Sequence, residues 1–224
     1  MVLFKKLHLL LLVSMCATAQ TVKRKNLVWP QLILRTSPEN KFSYEGIFQL
    51  RFLENNSKLE LAALTNTVYL RPSKAPLYYG LDYTLIVARS LNNYRQVHWL
   101  QPKFEYRPKV FNFRLLLRLM YAHLWISELD GPEVKAKDDR IRFLYQVSFP
   151  IYPAMRLTLS NEVFVLGRKS WMRENRFQCS IVKKLNENNS ISLGYFYRWI
   201  GSTTHTDNTS YENALTVTYV HSIL

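Results

Sequence analysis

The sequence predicts an all-β fold: a single antiparallel up-and-down transmembrane β-barrel of about 10–12 strands. Three observations predict it. Side chains alternate in character with a period of two, in segments of about ten residues. One face of these segments is apolar and aromatic, while the other carries Arg, Glu and Asp in mid-strand. Tight connections alternate with long polar ones.

The alternation is clearest from Ile191 to Trp199, where Ile191, Leu193, Tyr195, Tyr197 and Trp199 oppose Ser192, Gly194, Phe196 and Arg198. Successive strand residues point to opposite faces, so these two sets line two different environments. The same split recurs in 42–52, 78–87, 111–125, 140–149, 155–165 and 211–220, and less cleanly in 97–107 and 174–183. Segments 27–36 and 59–70 are strand-like but lose phase, which predicts a bulge or a mixed environment. Eleven candidate strands result. Bacterial barrels ordinarily have an even number, so either segment 27–36 is expected outside the wall or one strand is uncounted.

The connections Pro150-Ile151-Tyr152-Pro153 and Asn186-Glu187-Asn188-Asn189 are tight. Those from Glu128 to Asp139, Gly167 to Arg173 and Gly201 to Tyr211 are long and polar. Tight periplasmic turns and long outside loops fit an outer-membrane barrel. The strand of 111–125 is then expected to run outward and the last strand to return to the periplasm. A soluble lipocalin-like binding protein is the structural alternative, since its strands also alternate. Two features weigh against it: charges sit where a soluble core wants aliphatics, and the other face is too rich in Leu, Tyr, Phe and Trp to face water. Lipid outside and a polar lumen inside satisfy both.

The N-terminus fits this location. Lys5 and Lys6 precede the short apolar run Leu9–Val13, and Ala17-Thr18-Ala19 supplies small residues at a cleavage site. This is the secretory pattern, and it divides the chain into a cleaved signal peptide, 1–19, and a barrel domain, 20–224. The run is too short for a spanning helix, which needs roughly 20 residues. The whole chain has 30 Lys+Arg against 16 Asp+Glu. Removing 1–19 takes away two lysines and no acid, leaving 28 against 16, a net of +12. Export argues against nucleic acid as the partner of this charge. Only Cys179 remains after cleavage, so no intramolecular disulfide is expected.

The inward set read from the alternation is Glu45, Arg51, Asp82, Glu105, Arg114, Arg118, Arg142, Arg156, Glu162, Arg176 and Arg198. In a narrow lumen such charges should pair, with Arg gripping carboxylates bidentately. The expected role is a network that fills and rigidifies the lumen; the alternative is a basic mouth that attracts an anion. Trp29, Tyr78, Tyr79, Trp99, Tyr106, Trp125, Tyr152, Trp171 and Trp199 are expected in interfacial girdles. No catalytic residue, metal site or cofactor is expected. His98, His123, His205 and His221 sit in no recognisable motif, metal-ligand spacing is absent, and no Gly-rich phosphate loop exists. A membrane-embedded lipid hydrolase remains the enzymatic alternative.

Several short motifs resemble the domain-of-unknown-function 2490 family, exported β-rich proteins of Bacteroidetes and other Gram-negative bacteria. They are Ser160-Asn161-Glu162-Val163-Phe164, Glu174-Asn175-Arg176 at the start of the next strand, and Leu193-Gly194-Tyr195-Phe196 after the turn Asn186–Asn189. Trp29, followed by a strand ending in Arg51, belongs to the same pattern. The resemblance covers most of the mature chain and implies location and fold, with no activity attached. The functional expectation is an outer-membrane barrel with a structural or small-solute and anion passage role. Its partners would be outer-membrane lipid and anionic small solutes, with no nucleic acid, and it would be a monomer.

Overall fold

The computed structural model of the chain describes residues 23–53, 58–89, 94–128, 136–166, 174–201 and 210–223. The expected signal peptide, Trp171 and His205 lie outside these residues. The strands are β1 (Lys23–Thr36), β2 (Phe42–Leu53), β3 (Lys58–Leu70), β4 (Leu77–Arg89), β5 (Tyr94–Tyr106), β6 (Lys109–Val110), β7 (Phe113–Glu128), β8 (Ala136–Tyr152), β9 (Met155–Leu166), β10 (Glu174–Lys184), β11 (Asn189–Ile200) and β12 (Ser210–Ile223). Their order is β5-β4-β3-β2-β1-β12-β11-β10-β9-β8-β7, and β5 also pairs with β7, so the sheet closes on itself. The two-residue β6 only folds back on the start of β7. The barrel wall therefore has eleven long strands.

An odd number of strands closes only if one neighbouring pair is parallel. Here the parallel pair is β1 and β12, in continuous register from Lys23↔Ser210 to Thr36↔Ile223. Segment 27–36 thus lies in the wall, and the even count expected from ordinary barrels does not hold. Alternation in β1 is unbroken: Leu27 and Trp29 are buried inside while Val28, Leu32 and Leu34 are exposed outside. The phase is hard to read in sequence because apolar residues occupy both faces.

In 59–70 the loss of phase is a true bulge. The β2–β3 register shifts between Arg51 and Phe52, which pair with Leu61 and Leu59 and leave Glu60 as the extra residue. Of the three prolines in strands, Pro150 sits at the end of β8 beside a register shift, whereas Pro30 and Pro102 sit mid-strand with neighbours on both sides. The β1–β2 ladder is interrupted at Trp29 and Pro30, and the β5–β7 ladder at Gln101 and Pro102. Proline has no N–H to give, so each opens a gap on one side only.

The tight connections, 37–41, 71–76, 107–112, 153–154 and 185–188, all gather at one end. At 185–188 the side-chain oxygen of Asn186 accepts from the backbone N–H of Asn188 at 3.0 Å and of Asn189 at 2.8 Å, which fixes the turn. At the opposite end, the links after β2 and β4 are as short as the tight turns, so three links carry the length asymmetry.

The outward face is apolar on strand after strand: Phe143 is 52% exposed and Leu193 is 56% exposed. Its few amides are taken up locally. The hydroxyls of Tyr44, Tyr195 and Tyr219 donate to the side-chain oxygens of Asn66, Asn213 and Asn189 at 2.5, 2.5 and 2.7 Å, and Asn161 donates to Asn175 at 2.7 Å. Inside, β10, β11 and β12 approach closely at Gly194. A Cβ there would lie 2.7 Å from both Ser180 Cβ and Thr216 Oγ1, and 3.0 Å from the Cys179 carbonyl oxygen. Gly194→Val is expected to lower the unfolding free energy by about 1–3 kcal/mol through overpacking, read as an earlier urea midpoint of the refolded barrel.

Candidate functional site

Inward positions on neighbouring strands stand side by side at the same height, so charges spaced by two along each strand become cross-strand neighbours. In the half of the lumen nearer the long links they form an arc in which acid and base alternate. Glu60 meets Arg51 at 3.7 Å, Arg51 meets Glu212 at 3.6 Å, and Glu212 meets Arg198 at 2.8 Å. Arg198 then holds both oxygens of Glu174, at 2.5 and 2.9 Å, and Glu174 is shared with Arg176. Arg176 reaches Glu162 at 3.5 Å, and Glu162 ends on Arg142 at 2.7 Å. Four carboxylates and four guanidiniums thus follow one another from β3 round to β8.

Aromatic rings pack against the arc. Arg51 lies 4.1 Å over Trp29, and Phe164 is covered by Arg176 at 4.2 Å and Arg142 at 4.6 Å. Phe164 is only 1% exposed. Such stacking suits the weakly hydrated, planar guanidinium, and it fills the space between ion pairs with apolar matter.

A second cluster sits across the lumen, nearer the tight turns. Glu105 is fully buried. It accepts from Arg118 Nε at 2.6 Å and Arg107 Nε at 2.6 Å, while Lys103 Nζ lies 3.9 Å away. Lys103 pairs mainly with Asp82 at 2.7 Å. Its stem lies across Gly80, where a Cβ would come within 2.6 Å of Lys103 Cε. Lys103 and Arg107 cap the Tyr69 ring at 4.4 and 4.9 Å, and Arg107 also covers Tyr78 at 4.5 Å.

Of the charges read from sequence, Arg51, Arg142, Glu162, Arg176 and Arg198 lie in the arc, and Asp82, Glu105 and Arg118 lie in the second cluster. Three stand apart. Arg156 is held near the tight turns by Ser148 Oγ at 3.0 Å, the Ser148 carbonyl at 2.7 Å and the Asn112 carbonyl at 3.1 Å. Arg114 is exposed near it, and Glu45 is half-buried at the same end; neither is in an ion pair among the described residues. Sequence reasoning missed Glu174, Glu212 and Lys103 as partners, although each falls on a polar phase. Arg107, on the polar phase of segment 97–107, was missed in the same way, and Glu60 was hidden by the bulge.

Three girdle assignments are corrected. Trp29, Tyr78 and Trp99 point into the lumen, where Trp29 packs on Phe196 with centroids 4.3 Å apart, and Arg142 lies 5.6 Å over Trp99. Period-2 phase decides the face of a ring whatever its size, and in these strands the odd or even phase that carries them is the inward one. Tyr79, Tyr106 and Tyr152 are exposed on the outside. So is His98, which stacks on Trp125 at 5.5 Å and shares a hydrogen bond of 2.8 Å with the Tyr83 hydroxyl. His123 and Asp139 form an outward pair at 2.7 Å. Among the described residues no group of three or more His, Cys, Asp or Glu is arranged to hold a metal.

Beside the arc, on the tight-turn side of Glu162 and Arg176, the lumen keeps a cavity of about 170 Å³. It is lined by Trp29, Gln31, Gln49, Leu144, Ser160, Glu162, Arg176, Gln178, Phe196 and Thr216.

Comparison with known proteins gives one family and one distant structure. The model of the family described as "Protein of unknown function (DUF2490)" matches residues 26–209. No curated protein matches the chain in sequence. Among solved structures, an anion-selective porin from Comamonas acidovorans is similar at 8% identity and a TM-score of 0.40, over 81% of this chain and 53% of the porin. The chain thus spans about half the length of that porin.

Breaking a buried ion pair strands the other charge, which costs about 3–5 kcal/mol. Glu162→Gln, which leaves Arg142 and Arg176 against a neutral amide, is expected to lose stability of that order. Glu45→Gln should change stability by less than about 0.5 kcal/mol. Urea unfolding of the two variants side by side gives both numbers.

Proposed function

We propose that this chain, which belongs to the DUF2490 family of proteins of unknown function, is a non-catalytic outer-membrane β-barrel whose lumen is closed at rest by its ionic arc. The observation that carries the reading is the pairing of surfaces. An apolar and aromatic exterior, interrupted by few polar groups, encloses an interior that holds eight alternating charges. Large contiguous apolar surface is not kept in water by monomeric proteins, whereas an acyl-chain solvent accounts for it directly. Strands of 11–17 residues exceed the roughly 9–11 residues that a tilted strand needs to cross the hydrocarbon. In lipid, polar groups need internal partners, and the Tyr–Asn pairs of the exterior supply them.

On this reading residues 1–19 are removed on export, lipid is the principal partner, and the closed sheet has no free edge to recruit a second copy. The role is structural, with passage of small solutes when the arc parts. An anion preference is weaker than the sequence suggests. Every arginine of the arc faces a carboxylate, so the excess of positive charge lies in the second cluster, where Lys103, Arg107 and Arg118 share Asp82 and Glu105, and at Arg114 and Arg156 near the tight turns. A lipid hydrolase is the second reading. It rests on His123 and Asp139, paired at 2.7 Å on the outward face, where a lipid ester would approach.

Membrane fractionation tests the first reading. The chain should appear in the outer membrane and migrate faster unheated than boiled. Phe143→Arg, which puts a charge in mid-belt, should reduce the folded form at a cost of about 2–4 kcal/mol. In planar bilayers the wild type should give no long-lived conductance. Steady steps would defeat the closed-lumen reading, and release of fatty acid from phospholipid by the wild type but not by His123→Ala would favour the hydrolase.

A further inference from the structure

We infer that the mid-lumen cavity is a binding site for a small uncharged polyol, in size from glycerol to a single sugar ring. The inference deepens the passage role proposed above and rests on a lumen that solutes can enter.

The size sets the first limit. The cavity of about 170 Å³ has room for several waters, or for one small solute in their place. The charge of the lining sets the second. Glu162 and Arg176 form the ceiling on the long-link side, and both are already engaged: Glu162 by Arg142 at 2.7 Å, and Arg176 by Glu174 and Glu162. An ionised ligand would meet no unneutralised charge here and would lose its hydration without return.

The neutral groups are different. The side chains of Gln49 and Ser160 make no hydrogen bond to other described residues. Gln31 accepts from Thr218 Oγ1 at 3.1 Å through its carbonyl oxygen, so its NH₂ group remains able to donate. Gln178 reaches Thr216 only at 3.5 Å. The indole N–H of Trp29 is buried and has no partner, although Trp29 is just 5% exposed. A buried donor without an acceptor is costly unless something fills its place. Amides and hydroxyls, which both donate and accept, complement hydroxyl groups, which do the same. Trp29 and Phe196 add apolar lining beside these polar groups. Trp29 is held in position from both sides, by Phe196 at 4.3 Å and Arg51 at 4.1 Å, so the site is largely preformed.

The test is a titration of the refolded full mature chain with D-glucose and glycerol, following tryptophan emission, with sodium phosphate and sodium chloride as the anion arm. A saturable change with glucose or glycerol and none with the salts supports the proposal. The change should be largely lost in Trp29→Phe. The midpoint should rise about tenfold in Gln31→Leu/Gln49→Leu. Ser160→Ala, a milder variant, should raise it severalfold if the double variant does not fold. No saturable response to either polyol, an equal response to phosphate, or an unshifted midpoint in the folded variants overturns the inference. A chain that fractionates with the outer membrane yet ignores polyols overturns this inference alone and leaves the barrel reading standing.

Discussion

A closed sheet with a polar inside has to neutralise its own charges. Once eleven strands meet edge to edge, side chains on the inner face have one another for company and little water. A guanidinium there needs a carboxylate within reach, and a carboxylate needs a guanidinium, or the desolvation of either works against the fold. The arc from Glu60 to Arg142 meets that condition by strict alternation, and most of its members serve two neighbours at once. Strand register, the bulge that turns Glu60 inward and the stacking of arginines on Trp29 and Phe164 all follow from keeping that alternation intact. Removing one charge therefore disturbs more than one contact.

The same condition separates this lumen from that of an open pore. An arginine-rich wall selects anions when its charge is uncompensated and its centre is wet. Here the arginines in mid-barrel are compensated, aromatic rings occupy the space between them, and what remains is a pocket lined by amides and hydroxyls. The inward set read from sequence held seven bases and four acids; adding Glu60, Glu174 and Glu212 together with Lys103 and Arg107 makes it nine and seven, a smaller excess in a more fully paired lumen.

Most of the wall was legible in the sequence because a strand forces its neighbours to opposite faces, and an apolar exterior around a charged interior makes the two faces differ sharply. Ile141, Phe143 and Tyr145 against Arg142 and Gln146 show this without ambiguity. The reading weakened wherever both faces carried similar residues. In β1, Leu27 and Trp29 face inward while Val28 and Leu32 face outward, and Pro30 removes a ladder hydrogen bond, so nothing local marks the strand as part of the wall. The partners inside the lumen were less legible still. Which arginine meets which carboxylate depends on the register across strands far apart in sequence, as with Arg51 and Glu212, and period alone carries no such information. Trp29, Tyr78 and Trp99 were placed with the girdles from residue type, whereas phase puts them inside.

The parallel seam between β1 and β12 has a consequence for how the barrel is made. Every other neighbouring pair of long strands is antiparallel and consecutive along the chain, so a turn or link joins its two members. β1 starts beside Ser210 at the end of the long links and finishes beside Ile223 at the end of the tight turns, so no hairpin makes this pairing. Its pairing with β12 joins residues nearly the whole chain apart, and contacts that distant close late because the loop entropy they require is paid only after the intervening structure exists. Until that zipper closes, both β1 and β12 present a bare edge. Assembly of this barrel thus has a defined last step, the zippering of two like-directed strands that no turn joins.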